Sequence, residues 1–244
     1  MKKGLTELVF ILDRSGSMSG LEKDTIGGYN ALLEKQKGEP GEAIITTVLF
    51  DDRYELLHDR IPLRGILPIT EKEYFVRGST ALLDAIGRTI DKIANAQKHT
   101  AESERAEKVM IVITTDGMEN ASREYRYDKV KAMIEGQKEA QGWEFLFIGA
   151  NIDAVETAQR FGISPHYAAN YHADAMGTEL LFHSLSETVS CARAAQPIPA
   201  AWKKSLEKDY GERESNQQEK GSKAQCAQST NISATTCPSK SDSP

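Results

Sequence analysis

The sequence predicts an α/β fold, a doubly wound and mostly parallel six-stranded sheet flanked by helices. Apolar runs alternate with longer amphipathic segments from residue 5 to about residue 195, a pattern typical of βαβ units. Several runs are almost continuously apolar, as strands are when helices cover both faces of a sheet. With 39% hydrophobic and 27% charged residues, the chain can bury a sizeable core. We therefore expect one domain over residues 4–195.

The first half of this domain begins with a strand at residues 5–12 and a helix at 21–37, which Gly38 and Pro40 bring to an end. Residues 43–50 are rich in β-branched side chains and predict a second strand. A third strand at 54–58 follows closely, so the two form an antiparallel hairpin. The pair Asp51 and Asp52 lies in its turn, where aspartates bond their own backbone. A catalytic role for this pair is the alternative interpretation.

The second half continues the alternation of helices and strands. A helix at 81–97 has an apolar face, and the most apolar strand follows at 109–114. The remaining elements are a helix at 127–141, a strand at 144–149, a short helix at 154–161, an edge strand at 167–171 and a helix at 177–194. The expected strand order is 3-2-1-4-5-6, with one antiparallel edge strand.

After residue 195 the composition changes. Residues 196–204 are predicted to be a linker, and residues 205–244 to be a polar, disordered tail. Large apolar residues nearly vanish after Trp202. Burial of so little apolar surface does not offset an ordering entropy of about 1–2 kcal/mol per residue.

Charge and cysteine usage narrow the class of protein. A formal net charge of −6 and a pI near 5.5 argue against nucleic acid and anionic membranes as partners. Glu7 interrupts the first apolar stretch, so we expect a strand there and not a signal peptide. The three cysteines, Cys191, Cys226 and Cys237, include no C-x-x-C spacing and leave an odd count, which favours the reducing cytoplasm.

Polar side chains follow the first strand at its carboxyl end, where open α/β sheets place their ligand crevices. Asp13, Ser15 and Ser17 alternate along this loop, so one carboxylate and two hydroxyls can face one point. Gly16 allows the backbone to turn between the two serines. Oxygen donors of this kind suit Mg²⁺, a small hard cation with octahedral coordination.

Two further residues complete the predicted metal site. Asp116 follows the fourth strand, which neighbours the first strand at the switch point of the expected sheet, so Asp13 and Asp116 should lie side by side. Two adjacent carboxylates require a cation or a proton between them. Thr80 precedes the helix at 81–97 and is either a further metal ligand or the N-cap of that helix.

Together these residues resemble the metal-ion-dependent adhesion site of von Willebrand factor A domains. That motif has D-x-S-x-S after the first strand, a threonine before a middle helix and an aspartate after the fourth strand. The resemblance runs from about residue 5 to residue 194 and includes the order of the elements. The chain is similar to intracellular bacterial members of the family.

The resemblance implies a metal bound directly by Ser15, Ser17 and Thr80, with Asp13 and Asp116 acting largely through water. One position would stay open for an Asp or Glu of a protein partner. Mg²⁺ is the expected cofactor, with Mn²⁺ or Ca²⁺ as alternatives, and the expected role is metal-dependent protein binding with no catalytic residue.

Other interpretations stay open at this stage. A metal-dependent phosphoryl-transfer or hydrolytic enzyme could use the same carboxylates, with Arg14 and Arg77 as candidate phosphate contacts. A serine hydrolase is disfavoured because Met18 occupies the position of the serine in G-x-S-x-G. A third interpretation is a scaffold that has lost the metal and recruits partners through its tail. Asp84 and Glu119 either orient the hydroxyls and waters of the site or are simply exposed carboxylates. Asn151 and Asp153 either shape the rim of the site or cap the next helix.

Overall fold

A computed structural model describes residues 1–215 of the chain. Within this range six strands form one sheet in the order β3-β2-β1-β4-β5-β6. Only β2 and β3 pair antiparallel, and every other neighbouring pair is parallel. The predicted fold class and strand order are therefore confirmed. The strands are β1 (Lys2–Asp13), β2 (Glu42–Phe50), β3 (Tyr54–Pro62), β4 (Ala106–Thr115), β5 (Glu144–Gly149) and β6 (Ala168–Asn170).

Helices cover both faces of this sheet. The five predicted helices are all present, with ends that move by at most two residues. They are α1 (Glu22–Gly38), α2 (Leu82–His99), α3 (Tyr127–Gln141), α4 (Ala154–Arg160) and α5 (Ala175–Arg193). Within the described range, no helix combines the length and the apolar character that a bilayer span requires.

The core consists of two layers, one on each face of the sheet. Successive side chains of a strand point to opposite faces. On β1, Leu8, Phe10 and Leu12 accordingly pack in the layer that contains the apolar residues of α1 and α5. Val9 and Ile11 pack in the other layer, with α2, α3 and α4. Because both faces are covered, the central strands are apolar at consecutive positions.

A buried ion pair lies within the β1 to β3 half of the sheet. Glu7 on β1 is fully buried, and its carboxylate accepts a hydrogen bond of 2.8 Å from Nε of Arg60. It also accepts one from the side-chain amide of Gln97. Arg60 has a φ of 51° next to register shifts between β2 and β3. This irregular segment lengthens β3 to Pro62, four residues beyond the predicted end.

The predicted linker and the start of the predicted tail are ordered, which corrects the sequence-based boundary at 205. A 3-10 turn at Ala200–Lys203 leads into a helix at 204–215, named α6 below. Trp202 and Leu206 are buried in the same layer as α1 and α5, and the indole of Trp202 donates a 2.7 Å bond to the carbonyl of His166. Two apolar residues of this polar segment thus contact the core of the domain. The rest of the predicted tail, 216–244, lies outside the described residues.

Candidate metal centre

The candidate centre lies at the carboxyl edge of the sheet, between β1 and β4. Leu12 of β1 pairs with Thr114 of β4, so the loops that leave these neighbouring strands start side by side. The side chains of Asp13 and Asp116 are both almost completely buried there, with 1% of each residue exposed. This is the juxtaposition that the expected strand order predicts.

Three hydroxyl groups meet at this edge. Oγ of Ser15 lies 3.1 Å from Oγ of Ser17, and Oγ1 of Thr80 donates a 3.0 Å hydrogen bond to Oγ of Ser15. Oγ of Ser17 in turn donates a 2.5 Å bond to Oδ1 of Asp116. Ser15 and Thr80 are buried, whereas Ser17 is exposed, so the cluster opens to solvent on the side of Ser17.

Asp13 is the anchor of its own loop. Its Oδ1 accepts a 2.7 Å bond from the backbone N–H of Ser15, and its Oδ2 accepts a 2.5 Å bond from the hydroxyl of Thr115. The hydroxyl of the fully buried Tyr74 donates a 2.5 Å bond to the carbonyl of Asp13. The structure therefore brings all five predicted site residues into one hydrogen-bonded cluster.

Thr80 does not cap the helix that follows it. The N-cap of α2 is Ala81, and no side chain forms a capping hydrogen bond there. The backbone N–H of Thr80 donates to Oδ1 of Asn120 at 2.9 Å, and its carbonyl accepts from the N–H groups of Asn120 and Ala121. These backbone bonds fix Thr80 and leave its hydroxyl directed at Ser15. Asn120 was not identified from the sequence, because nothing in its own segment marks it as a neighbour of Thr80.

The electrostatics of the cluster favour a positive charge. Burial, with a smaller contribution from the nearby Asp116, raises the pKa of Asp13 to about 6, despite the hydrogen bonds from Thr115 and Ser15. Burial also raises the pKa of Asp116. Moreover, Oδ2 of Asp116 is buried without a hydrogen-bond partner among the described residues. An unpaired carboxylate oxygen in such a place has a large desolvation cost, which a cation would offset.

The donor set fits a small hard cation. With metal–oxygen bonds of roughly 2.1 Å, neighbouring ligands of an octahedron lie about 3.0 Å apart. The hydroxyl pairs Ser15–Ser17 and Thr80–Ser15, at 3.1 and 3.0 Å, match that edge. Nowhere in residues 1–215 do three or more His, Cys, Asp or Glu side chains group to hold a metal. At the candidate centre, the three hydroxyls would therefore have to supply ligands beside the two carboxylates.

The two arginines considered as phosphate contacts are engaged in ion pairs. Arg14 is fully buried, and its guanidinium donates to Asp51 at 3.0 Å and to Glu55 at 2.5 Å. Arg77 donates to the same Asp51 oxygen at 2.6 Å. Asp51 also accepts a 2.7 Å bond from the N–H of Arg53, as predicted for a turn residue. Its pairing with two arginines was not predicted.

The predicted supporting carboxylates on the α2 side bond mainly to backbone. Asp84 accepts hydrogen bonds from the N–H groups of residues 123, 124 and 125. Glu119 accepts from the N–H groups of Leu83, Ala121 and Ser122 and from the Ser122 hydroxyl. Both therefore fix the loop after Asp116 against α2, and neither bonds to a candidate ligand.

The two residues predicted at the rim have different roles. Asp153 is the N-cap of α4, where its carboxylate accepts a 2.9 Å bond from the N–H of Glu156. Asn151 has a φ of 56°, and its side chain donates a 3.3 Å bond to the carbonyl of Asp116. Asn151 thus contacts the loop of a candidate ligand, whereas Asp153 serves its own helix.

Comparison with solved structures identifies known proteins that have a similar fold. No protein-family model matches the sequence, and a search of curated proteins finds no match. Solved structures do match. The pilus adhesin SpaC from Lactobacillus rhamnosus GG is 13% identical and has a TM-score of 0.58, with 79% of this chain and 30% of the adhesin covered. Manganese-loaded TRAP protein from Plasmodium vivax is 17% identical and has a TM-score of 0.53, with 75% and 74% covered.

A third match is proximal thread matrix protein 1 from the mussel byssus, in a structure with a zinc-occupied metal-ion-dependent adhesion site motif. It is 14% identical and has a TM-score of 0.51, with 76% of this chain and 46% of the mussel protein covered. This chain thus spans about half the length of the mussel protein. These neighbours are von Willebrand factor A domain proteins, and the chain has a fold of that type. At such identities the likeness concerns the fold alone.

Proposed function

We propose that this domain binds Mg²⁺ through the hydroxyls of Ser15, Ser17 and Thr80, with Asp13 and Asp116 acting through bound water. The bound metal would then accept an Asp or Glu side chain of a protein partner. The observation that carries this proposal is the buried Oδ2 of Asp116, which has no hydrogen-bond partner among residues 1–215. A buried carboxylate oxygen without a donor, on a side chain whose other oxygen bonds to the Ser17 hydroxyl, is well suited to a nearby cation.

The chemistry of the ligand set supports a binding role. Hydroxyl ligands are neutral, so they leave most of the positive charge on the metal. A cation in this state attracts an anionic oxygen from outside, and the exposed Ser17 marks the side from which that oxygen can approach. Two of the fold neighbours are structures with manganese or zinc bound, which supports a divalent cation here.

The metal is tested by thermal unfolding. With Mg²⁺ at about a hundredfold above its dissociation constant, selective binding to the folded state adds ~2.7 kcal/mol. For a domain of this size the melting temperature should rise by about 5–10 °C relative to EDTA. Ser15→Ala should abolish the rise, whereas Ser19→Ala, a change at an exposed serine just beyond the motif, should retain it. The same series with Mn²⁺ and Ca²⁺ identifies the preferred ion.

The acidic partner is tested with random peptides displayed on phage. Peptides selected on the wild-type domain in Mg²⁺ should share an Asp or Glu, and they should be released by EDTA. Replacement of that residue by Asn or Gln should abolish binding. Peptides that bind equally in EDTA, or that bind Ser15→Ala equally, would contradict a metal-mediated contact.

A phosphoryl-transfer enzyme is a weaker candidate, because Arg14 and Arg77 are already paired with carboxylates. We therefore propose a binding protein and not an enzyme. Incubation with Mg²⁺ and a panel of phosphoesters should give no turnover. Turnover that disappears in Asp13→Ala would instead support the enzyme.

A further inference from the structure

Behind the candidate metal centre lies a cluster of four charged side chains that the proposed function does not use. Its central member, Asp51, has a fully buried side chain although it lies in the turn between β2 and β3. One carboxylate oxygen, Oδ2, accepts hydrogen bonds from Nε of Arg14 at 3.0 Å and from Nε of Arg77 at 2.6 Å. The fourth member is Glu55, which lies 2.5 Å from Nη2 of Arg14 and 3.7 Å from Nη2 of Arg77.

The four side chains of the cluster are electrically balanced, and Arg77 and Glu55 are partly exposed to solvent. Two guanidinium groups face two carboxylates, so the formal charges cancel. Arg14 also donates a 3.4 Å bond to the carbonyl of Glu73. The guanidinium carbons of Arg14 and Arg77 each lie 5.2 Å from the centre of the Phe75 ring, within the range of a cation–π contact. The ion pairs and the Phe75 ring together fix the orientation of both guanidinium groups.

The cluster joins the two loops that supply the hydroxyls. Arg14 belongs to the loop of Ser15 and Ser17, and Arg77 to the loop that leads to Thr80. Backbone hydrogen bonds run between the same loops: the N–H of Arg77 donates to the carbonyl of Arg14 at 2.9 Å, and that of Gly16 to Gly78 at 3.1 Å. The N–H of Ala81 donates to the carbonyl of Asp51 at 2.8 Å. Asp51 therefore contacts both loops.

Close approach of the Thr80 loop depends on a glycine. Gly78 has a φ of 67°, and a Cβ built there would lie 2.2 Å from Oδ1 of Asp52. A side chain at this position would displace the Asp52 carboxylate and strain a backbone conformation that L-residues rarely adopt. The glycine thus permits a short distance between the Thr80 loop and the turn of Asp51, and the ion pairs maintain that distance.

From this geometry we infer that Arg14 and Asp51 are positioning residues for the metal centre. Their ion pair fixes the separation of the Ser15 and Thr80 hydroxyls before a metal binds. The inference rests on the proposed function, because the distance between these hydroxyls matters only if they bind a metal. Fold stability alone would not require these charges, because a buried ion pair can often be replaced by apolar side chains of similar volume without loss.

The test uses a double variant, because a single substitution would leave the buried cluster with a net charge and could unfold the domain. Arg14→Met with Asp51→Leu removes both charges and retains apolar volume. The matched control is Lys92→Met with Asp59→Leu, which removes an ion pair of 2.8 Å between partly exposed side chains of α2 and β3. Arg14→Lys is the conservative variant, which keeps the charge and loses the forked geometry.

The first readout is amide hydrogen exchange of the metal-free full-length protein in EDTA. We expect the N–H groups of Gly16, Arg77 and Ala81 to exchange at least about tenfold faster in the double variant. Those of the central strand β4 should keep their wild-type rates, which shows that the domain is folded. The control pair should change none of these rates, and Arg14→Lys should be intermediate.

The second readout is Mn²⁺ affinity, measured by titration calorimetry. We expect the double variant to bind at least about tenfold more weakly than wild type, with Arg14→Lys between them and the control pair unchanged. A folded double variant with wild-type exchange rates, or with wild-type Mn²⁺ affinity, would overturn the positioning role alone. Failure of the wild-type protein to bind Mn²⁺ would overturn the proposed function together with this inference.

Discussion

One of the two carboxylate oxygens of Asp116 has no hydrogen-bond donor among the described residues. Oδ1 accepts a hydrogen bond from Ser17, while Oδ2 is buried without a partner among the described residues. A buried unpaired polar atom costs about 1–3 kcal/mol, and more if it is charged. Under the proposed function, Asp116 therefore supports metal binding while it lowers the stability of the domain in EDTA.

This conflict predicts opposite effects of one substitution. Asp116→Asn should raise the free energy of unfolding in EDTA by about 1 kcal/mol, because the amide removes a buried charge. It should also abolish the stabilisation by Mg²⁺. Urea unfolding with and without metal measures both effects, with Asp128→Asn on the surface of α3 as the control. A variant that is less stable than wild type in EDTA would show that Oδ2 has a partner.

At the residue scale, local motifs were predictable and distant partners were not. Asp13, Ser15 and Ser17 lie within five positions after an apolar strand, so the sequence alone indicates a shared chemistry. Arg14 lies among them, but its carboxylate partners are 37 and 41 positions away. Nothing local distinguishes an arginine that pairs inside the protein from one that faces a ligand. Tyr74, which bonds to the carbonyl of Asp13, was missed for the same reason.

At the scale of the elements, β1 contains a buried carboxylate, Glu7, whose ionisation should make the free energy of unfolding depend on pH. Burial raises the pKa of Glu7, although Arg60 and Gln97 oppose the shift. The folded state therefore keeps the proton to higher pH than the unfolded chain does. The stability that Glu7 contributes is complete below its unfolded pKa of about 4.3 and is lost as pH rises through the folded value.

Comparison with Glu7→Gln isolates this effect, because glutamine does not titrate. The free energy of unfolding of wild type, minus that of Glu7→Gln, should be larger near pH 4 than near pH 7. Urea unfolding at several pH values measures the difference, and Glu34→Gln on the exposed side of α1 serves as the control. A difference that grows with pH would show that the ion pair with Arg60 outweighs burial.

The packing of helix α6 against the core can be tested at its buried leucine. Leu206 is 1% exposed and packs in the same core layer as α1 and α5. Leu206→Ala should lower the free energy of unfolding by about 2–5 kcal/mol, the usual range for a buried leucine. Glu207→Ala, one position along and exposed, should change it by less than about 1 kcal/mol. Equal effects of the two changes in urea unfolding would mean that α6 does not dock in solution.

The composition of this segment explains why α6 was not predicted. Trp202 and Leu206 are isolated apolar residues in a polar sequence, and periodicity cannot be recognised from two positions. The contacts that hold α6 come from elsewhere: Tyr210 stacks on His172, and Arg213 pairs with Asp174 at the N-cap of α5. These partners are 38 and 39 positions away. Tertiary packing therefore decides the structure of this segment.

At the scale of the whole molecule, the candidate site joins three segments that are far apart in sequence. Its oxygens come from the end of β1 and the loop after it, from Thr80 two residues before α2, and from the loop after β4. A metal that binds only when all three are in place should stabilise the entire domain and leave the surface exposed on unfolding unchanged. Mg²⁺ should therefore raise the urea midpoint without changing the m-value. A changed m-value, or a second transition, would indicate that the metal orders one segment only.

The overall architecture was predictable because its central strands are buried on both faces. Such strands are continuous apolar runs, and their alternation with amphipathic helices leaves few possible topologies. The edges of the sheet were less well predicted. β3 runs four residues past its predicted end through an irregular segment at Arg60, and β6 has three residues where five were expected. Edge strands have a neighbouring strand on one side only, so they are less buried and their apolar patterns are weaker.

Gly117 lies next to two of the candidate ligands, so a substitution there can change the site without removing a ligand. A methyl group at this position would lie 3.1 Å from Oγ of Ser17 and 3.2 Å from Oγ1 of Thr80, so it would crowd two of the three hydroxyls. All five oxygen donors would still be present, yet the space between them would be reduced. We therefore expect Gly117→Ala to weaken metal binding in calorimetric titration, while the charge and polarity of every donor stay the same. In a cell, such an allele would distinguish what the domain does through its metal from what it does by its presence.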